Sequence, residues 1–138
     1  MKGSCFCEKV SFEIATKITE LYQCHCSECR KTTGAASNAG FIISQDQLQW
    51  LSGEDNIKTF KKESGFRVCF CATCGSTVPN KTSVKDNMMW VPAGLLISNP
   101  SLKVTNHIYV GSKADWDEIG GTGHQHQTLP ADINCLLS

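Results

Sequence analysis

The sequence predicts a mainly β fold made of small sheets, with one or two short helices. Three observations support this class: several short segments alternate apolar and polar residues, turn-forming residues bound these segments, and the only helix-like segments are short. A chain of 138 residues suits one domain with a modest core, which we expect to span residues 1–138. Within it, we expect residues 119–138 to form a loop-rich tail.

Six segments have the pattern of strands. The clearest is FRVCFCATCG (residues 66–75), where three large apolar residues alternate with Arg67, Cys69 and Cys71. Because successive residues of a strand point to opposite faces, the two cysteines should share one face and the apolar side chains the other. The other predicted strands lie in residues 9–14, 39–44, 48–53, 88–96 and 106–112.

Two short segments predict helices. The first is CRKTTGA (residues 29–35). The second is SKADWDEI (residues 112–119), in which Ser112 can cap the first turn and Asp115 stands at the third helical position.

Composition and charge exclude several classes of protein. Apolar residues make up 41% of the chain and charged residues 19%, which indicates a globular rather than a disordered chain. Thirteen basic and thirteen acidic side chains cancel, so nothing attracts nucleic acid or an anionic membrane in general. No apolar run of about 18 residues predicts a membrane span, and the first residues lack the apolar stretch of a signal peptide. We expect a cytoplasmic protein with neither nucleic acid nor a membrane as partner.

Nine cysteines are the outstanding feature of the composition. Their odd number and the missing secretion signal argue against a disulfide framework. In a reducing cytosol, clustered cysteines more often bind metal. The sequence therefore favours metal binding over disulfides.

Two cysteine pairs form hooks that lie far apart in the sequence. Residues i and i+2 of a strand point the same way, so Cys5 and Cys7 can offer two thiolates from one strand end. A C-x-x-C turn brings Cys71 and Cys74 together, and Gly75 gives this bend its freedom in φ. Together the hooks predict a closed four-thiolate site, which is typical of structural zinc and would stabilise a small β domain. The alternative is that the four residues are buried small apolar side chains.

The segment CHCSEC contains a second, tight group of Cys24, Cys26 and Cys29. Three protein ligands and one open position are typical of a catalytic zinc. An open position on a thiolate-rich zinc suits a further thiolate, and the metal would lower the pKa of that thiol. The group therefore predicts a catalytic metal site that receives a thiol.

Three neighbours of this group are candidates for supporting roles. Arg30 and Lys31 would offset the negative charge of three thiolates and could bind a carboxylate of the incoming thiol. The alternative for both is an ordinary solvated pair at a helix start. His25 lies between two ligands and should point to the opposite face of the strand. We expect it to be a hydrogen-bonded histidine packed beside the site, rather than a ligand or a proton shuttle.

Four motifs occur in a fixed order: GSCFCEKVSFE, CHCSECRKTTGA, FRVCFCATCGS and HIYVGSKADWDEI. Together they resemble the glutathione-dependent formaldehyde-activating enzyme family, which also contains centromere protein V, over residues 3–119. The resemblance implies a β fold like that of the Rab-exchange chaperone and two zinc ions per chain. Because three ligands hold a metal less well than four, it stays open whether the second ion is retained. It implies a structural zinc on Cys5, Cys7, Cys71 and Cys74, and a catalytic zinc on Cys24, Cys26 and Cys29.

The same resemblance implies a carbon–sulfur lyase reaction, in which glutathione and formaldehyde reversibly form S-hydroxymethylglutathione. Arg30 and Lys31 would then contact glutathione. The proximity of a pre-oriented thiolate to the aldehyde would supply most of the catalysis. Because thiols add to formaldehyde unaided, a different thiol adduct or a related small electrophile stays open as the true substrate. The oligomeric state also stays open, with a homodimer among the alternatives.

The chain departs from the family pattern at several positions. Glu8 stands where relatives usually have glycine, which affects the tight turn behind the first cysteine pair. Cys69 shares a strand face with the first metal group and is either a spare thiol there or, as we expect, a buried apolar side chain. Cys135 lies in a terminal tail. His124 and His126 could offer imidazoles from one face, but their glycine-rich tract is more typical of a mobile loop.

Two other function classes compete with the enzyme. A non-catalytic zinc module could bind a protein partner, as a chaperone or exchange factor does, but such a module needs only closed four-cysteine sites. An iron–sulfur protein is a weaker alternative because cluster sites usually use four cysteines each.

Overall fold

The computed structural model describes residues 1–82, 85–98 and 101–138. Strands predominate, and one α-helix occurs in this described part of the chain. The prediction of a mainly β fold of small sheets is therefore confirmed. The strands are β1 (Lys2–Ser4), β2 (Ser11–Ile14), β3 (Glu20–Cys24), β4 (Asn38–Ser44), β5 (Leu48–Ser52), β6 (Ile57–Lys61), β7 (Arg67–Cys71), β8 (Asn80–Lys81), β9 (Met88–Pro92), β10 (Lys103–Ile108) and β11 (His124–Gln125), and the helix is α1 (Ser27–Thr33).

The chain divides into two units, of which the first comprises residues 1–17 and 42–100. It holds an antiparallel sheet in the order β1-β2-β5 and the antiparallel pairs β6-β7 and β8-β9. Strand β2 follows the period of two, since Phe12 and Ile14 are fully buried while their neighbours are not. Gly53 ends β5 with a φ of 73°, and a Cβ there would collide with the backbone of Lys9.

A small core of the first unit lies around the first cysteine hooks. Strand β7 buries its cysteine face, because Cys69 and Cys71 are buried while the side chains between and beside them are half-buried. The alternation predicted for residues 66–75 is thus confirmed. The buried members of this core are Cys5, Val10, Cys69, Cys71 and Val78.

The second unit comprises residues 18–41 and 101–138. Its strands lie in the order β11-β10-β3-β4, with β10 parallel to both β11 and β3, and β3 antiparallel to β4. The pairing of β10 with β3 contains a bulge between Val104 and Asn106 and ends with Ile108 opposite Cys24. This register places the C-terminal end of β10 beside the start of the second cysteine group.

Helix α1 confirms the first predicted helix, although it begins two residues earlier than the predicted segment. It ends at Gly34, which is its C-cap and has a left-handed φ of 65°. The Gly34 N–H donates a hydrogen bond to the Arg30 carbonyl.

The second predicted helix, at residues 112–119, is wrong. A short 3₁₀ turn, Val110–Ser112, ends there, and no regular helix follows in residues 113–119. The Lys113 ammonium donates to the carbonyls of Asp117 at 2.8 Å and Ala114 at 3.4 Å, while the Asp117 N–H donates to Ala114. These bonds close a single turn, and so short a segment gains little from helix propensity alone.

None of the helices in the described ranges is long and apolar enough to cross a membrane.

Candidate metal centres

The first cysteine group brings together Cys5, Cys7, Cys71 and Cys74, which we call the four-thiol group. Their sulfur atoms all lie within 4.8 Å of one another. Cys7 Sγ is 3.6 Å from Cys5 Sγ and 3.7 Å from Cys71 Sγ. A tetrahedral zinc with Zn–S bonds of about 2.3 Å needs sulfurs about 3.8 Å apart. The four-thiol group can therefore hold a metal ion, and its spacing fits zinc.

Local backbone bonds shape the first hook. The Cys5 N–H donates to the Val10 carbonyl at 2.9 Å, and the Val10 N–H donates to Cys5 Sγ at 3.3 Å. The Glu8 N–H donates to the Cys5 carbonyl at 3.0 Å, which requires a tight reversal at Glu8. Glu8 accordingly has a φ of 64°, in the left-handed region that favours glycine.

The second hook forms where β7 ends. The Gly75 N–H donates to the Cys71 carbonyl at 2.8 Å, and Gly75 has a φ of 78°, as expected for the bend of this C-x-x-C turn. The side-chain amide of Asn56 donates to Cys71 Sγ at 3.4 Å.

Hydrogen bonds favour the thiolate form on this second hook. Bonds from the Ser76 hydroxyl and backbone N–H lower the pKa of Cys74 to about 5. The Cys74 N–H lowers the pKa of Cys71. Because the thiolate is the form that binds metal, these bonds prepare the hook for a cation.

The second cysteine group, Cys24, Cys26 and Cys29, is the three-thiol group. Cys24 ends β3, Cys26 is the N-cap of α1, and Cys29 lies in the helix, with the Cys29 N–H donating to Cys26 Sγ at 3.4 Å. The three sulfurs lie within 4.8 Å of one another. Cys24 and Cys29 are buried, whereas Cys26 is partly exposed. The group can hold a metal ion and is accessible from the side of Cys26.

The three thiols stabilise one thiolate. Hydrogen bonds from the Cys24 and Cys29 thiols lower the pKa of Cys26 to about 2. The same bond to Cys26 raises the pKa of Cys24 to about 11, and bonds to Cys24 and Cys26 raise the pKa of Cys29. Three thiolates this close together would repel one another. A soft divalent cation bound between them would offset that repulsion and allow all three thiols to ionise.

The three-thiol group offers three protein ligand atoms. Across the described ranges, no further cysteine, histidine, aspartate or glutamate atom joins its three sulfurs within 4.8 Å. A tetrahedral ion held here would keep one position for a molecule from solution.

Arg30 and Lys31 lie in the last turn of α1, not at its start. Lys31 is exposed, whereas Arg30 is half-buried. The Arg30 Nε atom is buried and has no hydrogen-bond partner in the described part of the chain. A buried donor without an acceptor costs free energy of folding. The Arg30 Nε atom is therefore suited to bind an anionic group beside Cys29.

Tyr109 is a neighbour of the three-thiol group that the sequence did not single out. It follows Ile108, the residue paired with Cys24, and has a φ of 55°. Burial and the negative charge of Cys24, Cys26 and Cys29 raise its pKa. No local pattern marks this residue; its relation to the thiols depends on the pairing of β10 with β3.

His25 takes the opposite side of β3, as predicted. It is only 2% exposed, and its Nε2 lies 3.1 Å from Nδ1 of His107. Its Nδ1 lies 3.6 Å from an oxygen of Asp117. Burial, then the nearby His107, lowers the pKa of His25, and burial lowers that of His107. The expectation of a hydrogen-bonded histidine is confirmed, while His107 and Asp117 were not foreseen.

The remaining candidates are members of neither cysteine group. Cys69 is buried with its Sγ 3.2 Å from Thr59 Oγ1, which confirms the expected burial. Cys135 is exposed in the 3₁₀ turn Ile133–Leu136. His124 belongs to β11, and His126 Nε2 lies 2.9 Å from Asn106 Oδ1, so the tract forms ordered contacts with β10. The metal-ligand groups found in the described residues include neither histidine.

Comparisons with known proteins give one family and one fold. A family model described as glutathione-dependent formaldehyde-activating enzyme matches residues 1–112. Among solved structures, the chain is similar to a protein of Rhodobacter sphaeroides, with 23% sequence identity and a TM-score of 0.61. That similarity covers 72% of this chain and 92% of the other, and at this identity it shows the fold alone. No protein of curated function matches the chain.

Proposed function

Since the chain belongs to the glutathione-dependent formaldehyde-activating enzyme family, we propose that it is a zinc enzyme of the carbon–sulfur lyase class. Its substrates would be a thiol, glutathione first among the candidates, and formaldehyde or a related small electrophile. The observation that carries the proposal is the three-thiol group with its missing fourth ligand. A non-catalytic zinc module needs only closed sites such as the four-thiol group, so the incomplete group favours an enzyme.

Zinc would occupy both cysteine groups, as their sulfur donors and spacing suit it. Cys5, Cys7, Cys71 and Cys74 would hold a structural ion. Cys24, Cys26 and Cys29 would hold the second ion, which when bound would supply a positive charge that favours the thiolate form of the substrate.

The residues around the three-thiol group would bind and orient the substrate. The unpartnered Arg30 Nε and the exposed Lys31 would bind a carboxylate of the thiol, as charge-assisted hydrogen bonds are the stronger kind. The partly exposed edge at Cys26 gives the thiol its access.

The proposed reaction forms a single C–S bond. The thiolate sulfur attacks the aldehyde carbon, the C=O electron pair moves to oxygen, and that oxygen takes a proton from solvent. The reverse reaction breaks the same C–S bond. Because the uncatalysed addition is already easy, holding sulfur and carbonyl carbon together would be the main contribution of the protein.

We place the protein in the cytoplasm, because a reducing compartment keeps clustered cysteines available for metal. A small molecule, rather than nucleic acid or a membrane, would then be its partner.

Exchange spectroscopy with ¹³C-formaldehyde and glutathione at equilibrium tests the proposal. The zinc-loaded protein should accelerate exchange between free aldehyde and adduct over the spontaneous rate. Cys26→Ser should abolish the acceleration, and Cys135→Ser, which changes an exposed thiol outside both groups, should keep it. Exchange at the spontaneous rate with the zinc-loaded wild-type protein would rule out this reaction.

A further inference from the structure

The second unit contains a cavity on the side of β3 opposite the three-thiol group. It has a volume of about 800 Å³. Gln23 and His25 line it, whereas Cys24 and Cys26, which alternate with them, do not. Strand β10 contributes Lys103 among others, and the rest of the wall comes from Ala36, Ser37, residues 117–122 and His124. We call it the back cavity.

Two buried imidazoles form one end of the back cavity. His25 and His107 are only 2% and 3% exposed, and their rings are joined through Nε2 and Nδ1 at 3.1 Å. The other nitrogen of His25, Nδ1, is buried and has no hydrogen-bond partner in the described part of the chain. Asp117 Oδ2 lies 3.6 Å from this nitrogen, which is too long for a hydrogen bond.

This end of the cavity therefore has two adjacent polar atoms that one bound group could satisfy. A neutral imidazole that donates through Nε2 to His107 presents Nδ1 as an acceptor, and the Asp117 carboxylate is also an acceptor. An ammonium group donates to both at once and neutralises the carboxylate. Glu118 adds a second negative charge to the wall. The nearby Lys113 ammonium does not occupy this place, because it donates to the backbone carbonyls of Asp117 and Ala114.

The other end of the cavity carries the opposite charge. Lys103 begins β10, four residues before His107, which corresponds to about 13 Å along a strand. A carboxylate is the natural partner of Lys103. An extended chain of two or three residues spans at most about 7–11 Å, and the flexible lysine side chain can cover the remaining distance.

We propose that the back cavity binds a short peptide of two or three residues with a free amino and a free carboxyl end. The ammonium lies between His25 and Asp117, and the carboxylate lies at Lys103. Glutathione-type peptides and ordinary tripeptides share this chemistry. Because the cavity and the three-thiol group lie on opposite sides of β3, the site does not depend on the proposed reaction, and each can fail without the other.

Two thiol-free probes test the site on the zinc-loaded protein by NMR titration. S-methylglutathione has a γ-linked backbone, and triglycine has ordinary peptide bonds. Saturable shifts of the His25 and His107 ring signals and of the amides of residues 120–122 are expected with at least one probe. Binding of S-methylglutathione alone would define a site specific for γ-glutamyl peptides. Binding of both probes would define a general site for short peptides. Absence of saturable shifts with both probes would overturn the proposal.

Altered ligands and variants test the two ends separately. N-acetyl-triglycine and N-acetyl-S-methylglutathione lack the ammonium and should bind at least tenfold more weakly than their parents. Asp117→Asn and Lys103→Met should each weaken binding about tenfold, whereas the matched changes Asp115→Asn and Lys17→Met, outside the cavity, should not. Equal binding of acetylated and free probes would contradict the proposal even if Asp117→Asn failed to fold. Shifts confined to residues 24–31 would contradict it too.

Discussion

Cys7 Sγ lies 3.7 Å from Cys71 Sγ, although 64 positions separate the two residues in the sequence. A metal ion held by the four-thiol group would join the two hooks and close this long loop. Since metal binding energy at such a site becomes folding energy, Cys71→Ser should lower the free energy of unfolding by several kcal/mol. Thermal unfolding followed by circular dichroism measures the loss. Cys135→Ser, at an exposed thiol, should change stability by less than about 0.5 kcal/mol. If the Cys71→Ser protein unfolded at the same temperature as the wild type, a structural ion at the four-thiol group would be excluded.

Glu8→Gly should stabilise the protein. Glu8 has a φ of 64° and an exposed side chain, so its Cβ is held in an unfavourable backbone conformation. The left-handed region costs an L-residue about 1–2 kcal/mol, and the entropy of glycine in the unfolded chain offsets about half of that. We expect a gain of about 0.5–1 kcal/mol in chemical denaturation. Glu8→Ala is the matched control, because it removes the charge but keeps the Cβ. Equal stability of the two variants would argue against backbone strain at this position.

Cys69→Ala should destabilise the protein without loss of metal. Cys69 is buried in the core beside the four-thiol group, and its Sγ contacts Thr59 Oγ1 at 3.2 Å. Removing the sulfur leaves a small cavity, which costs about 1 kcal/mol. Denaturation and metal analysis on the same sample check both halves of the expectation. Fewer bound ions in this variant would instead identify Cys69 as a ligand.

Stability should fall with pH below neutrality, in part through His107. Burial lowers the pKa of His107 below its usual 6.5, so the unfolded chain takes up a proton that the folded chain does not. The stabilisation is therefore complete above pH 6.5 and is lost as the pH falls from 6.5 towards the folded pKa. The slope for one such group is at most about 1.4 kcal/mol per pH unit.

His107→Asn, which keeps a polar atom near the position of Nδ1, should flatten this dependence between pH 7.5 and 5.5. His124→Gln, the same kind of change at an exposed histidine, is the matched control. Comparing slopes rather than absolute stabilities separates the titration from any packing defect. An identical slope in the His107 variant and the wild type would assign the dependence to other groups.

The sequence was most informative where the chemistry is local. Both cysteine groups could be predicted because ligands two or three residues apart are geometrically coupled, whatever the rest of the fold. The unusual turn at Glu8 was indicated by the family resemblance, because relatives usually have glycine at that position. The face of β7 that carries Cys69 and Cys71 followed from simple alternation.

Long-range relations could not be predicted in the same way. His25 and His107 are 82 positions apart, and only the parallel pairing of β10 with β3 brings them together. The segment at residues 112–119 has helix-like residues, but the bonds of Lys113 to backbone carbonyls close a turn instead. Strand β3 was not among the six segments predicted as strands from their residue pattern, because its five residues include none of the β-branched residues that mark strands.

Metal content per chain shows whether the three-thiol group holds an ion of its own in addition to the ion of the four-thiol group. Zinc should be counted by elemental analysis on wild type and on Cys26→Ser, each purified in the presence of zinc. We expect close to two ions per wild-type chain and one in the variant, with Cys135→Ser matching the wild type. A single ion in both the wild type and Cys26→Ser would contradict this expectation.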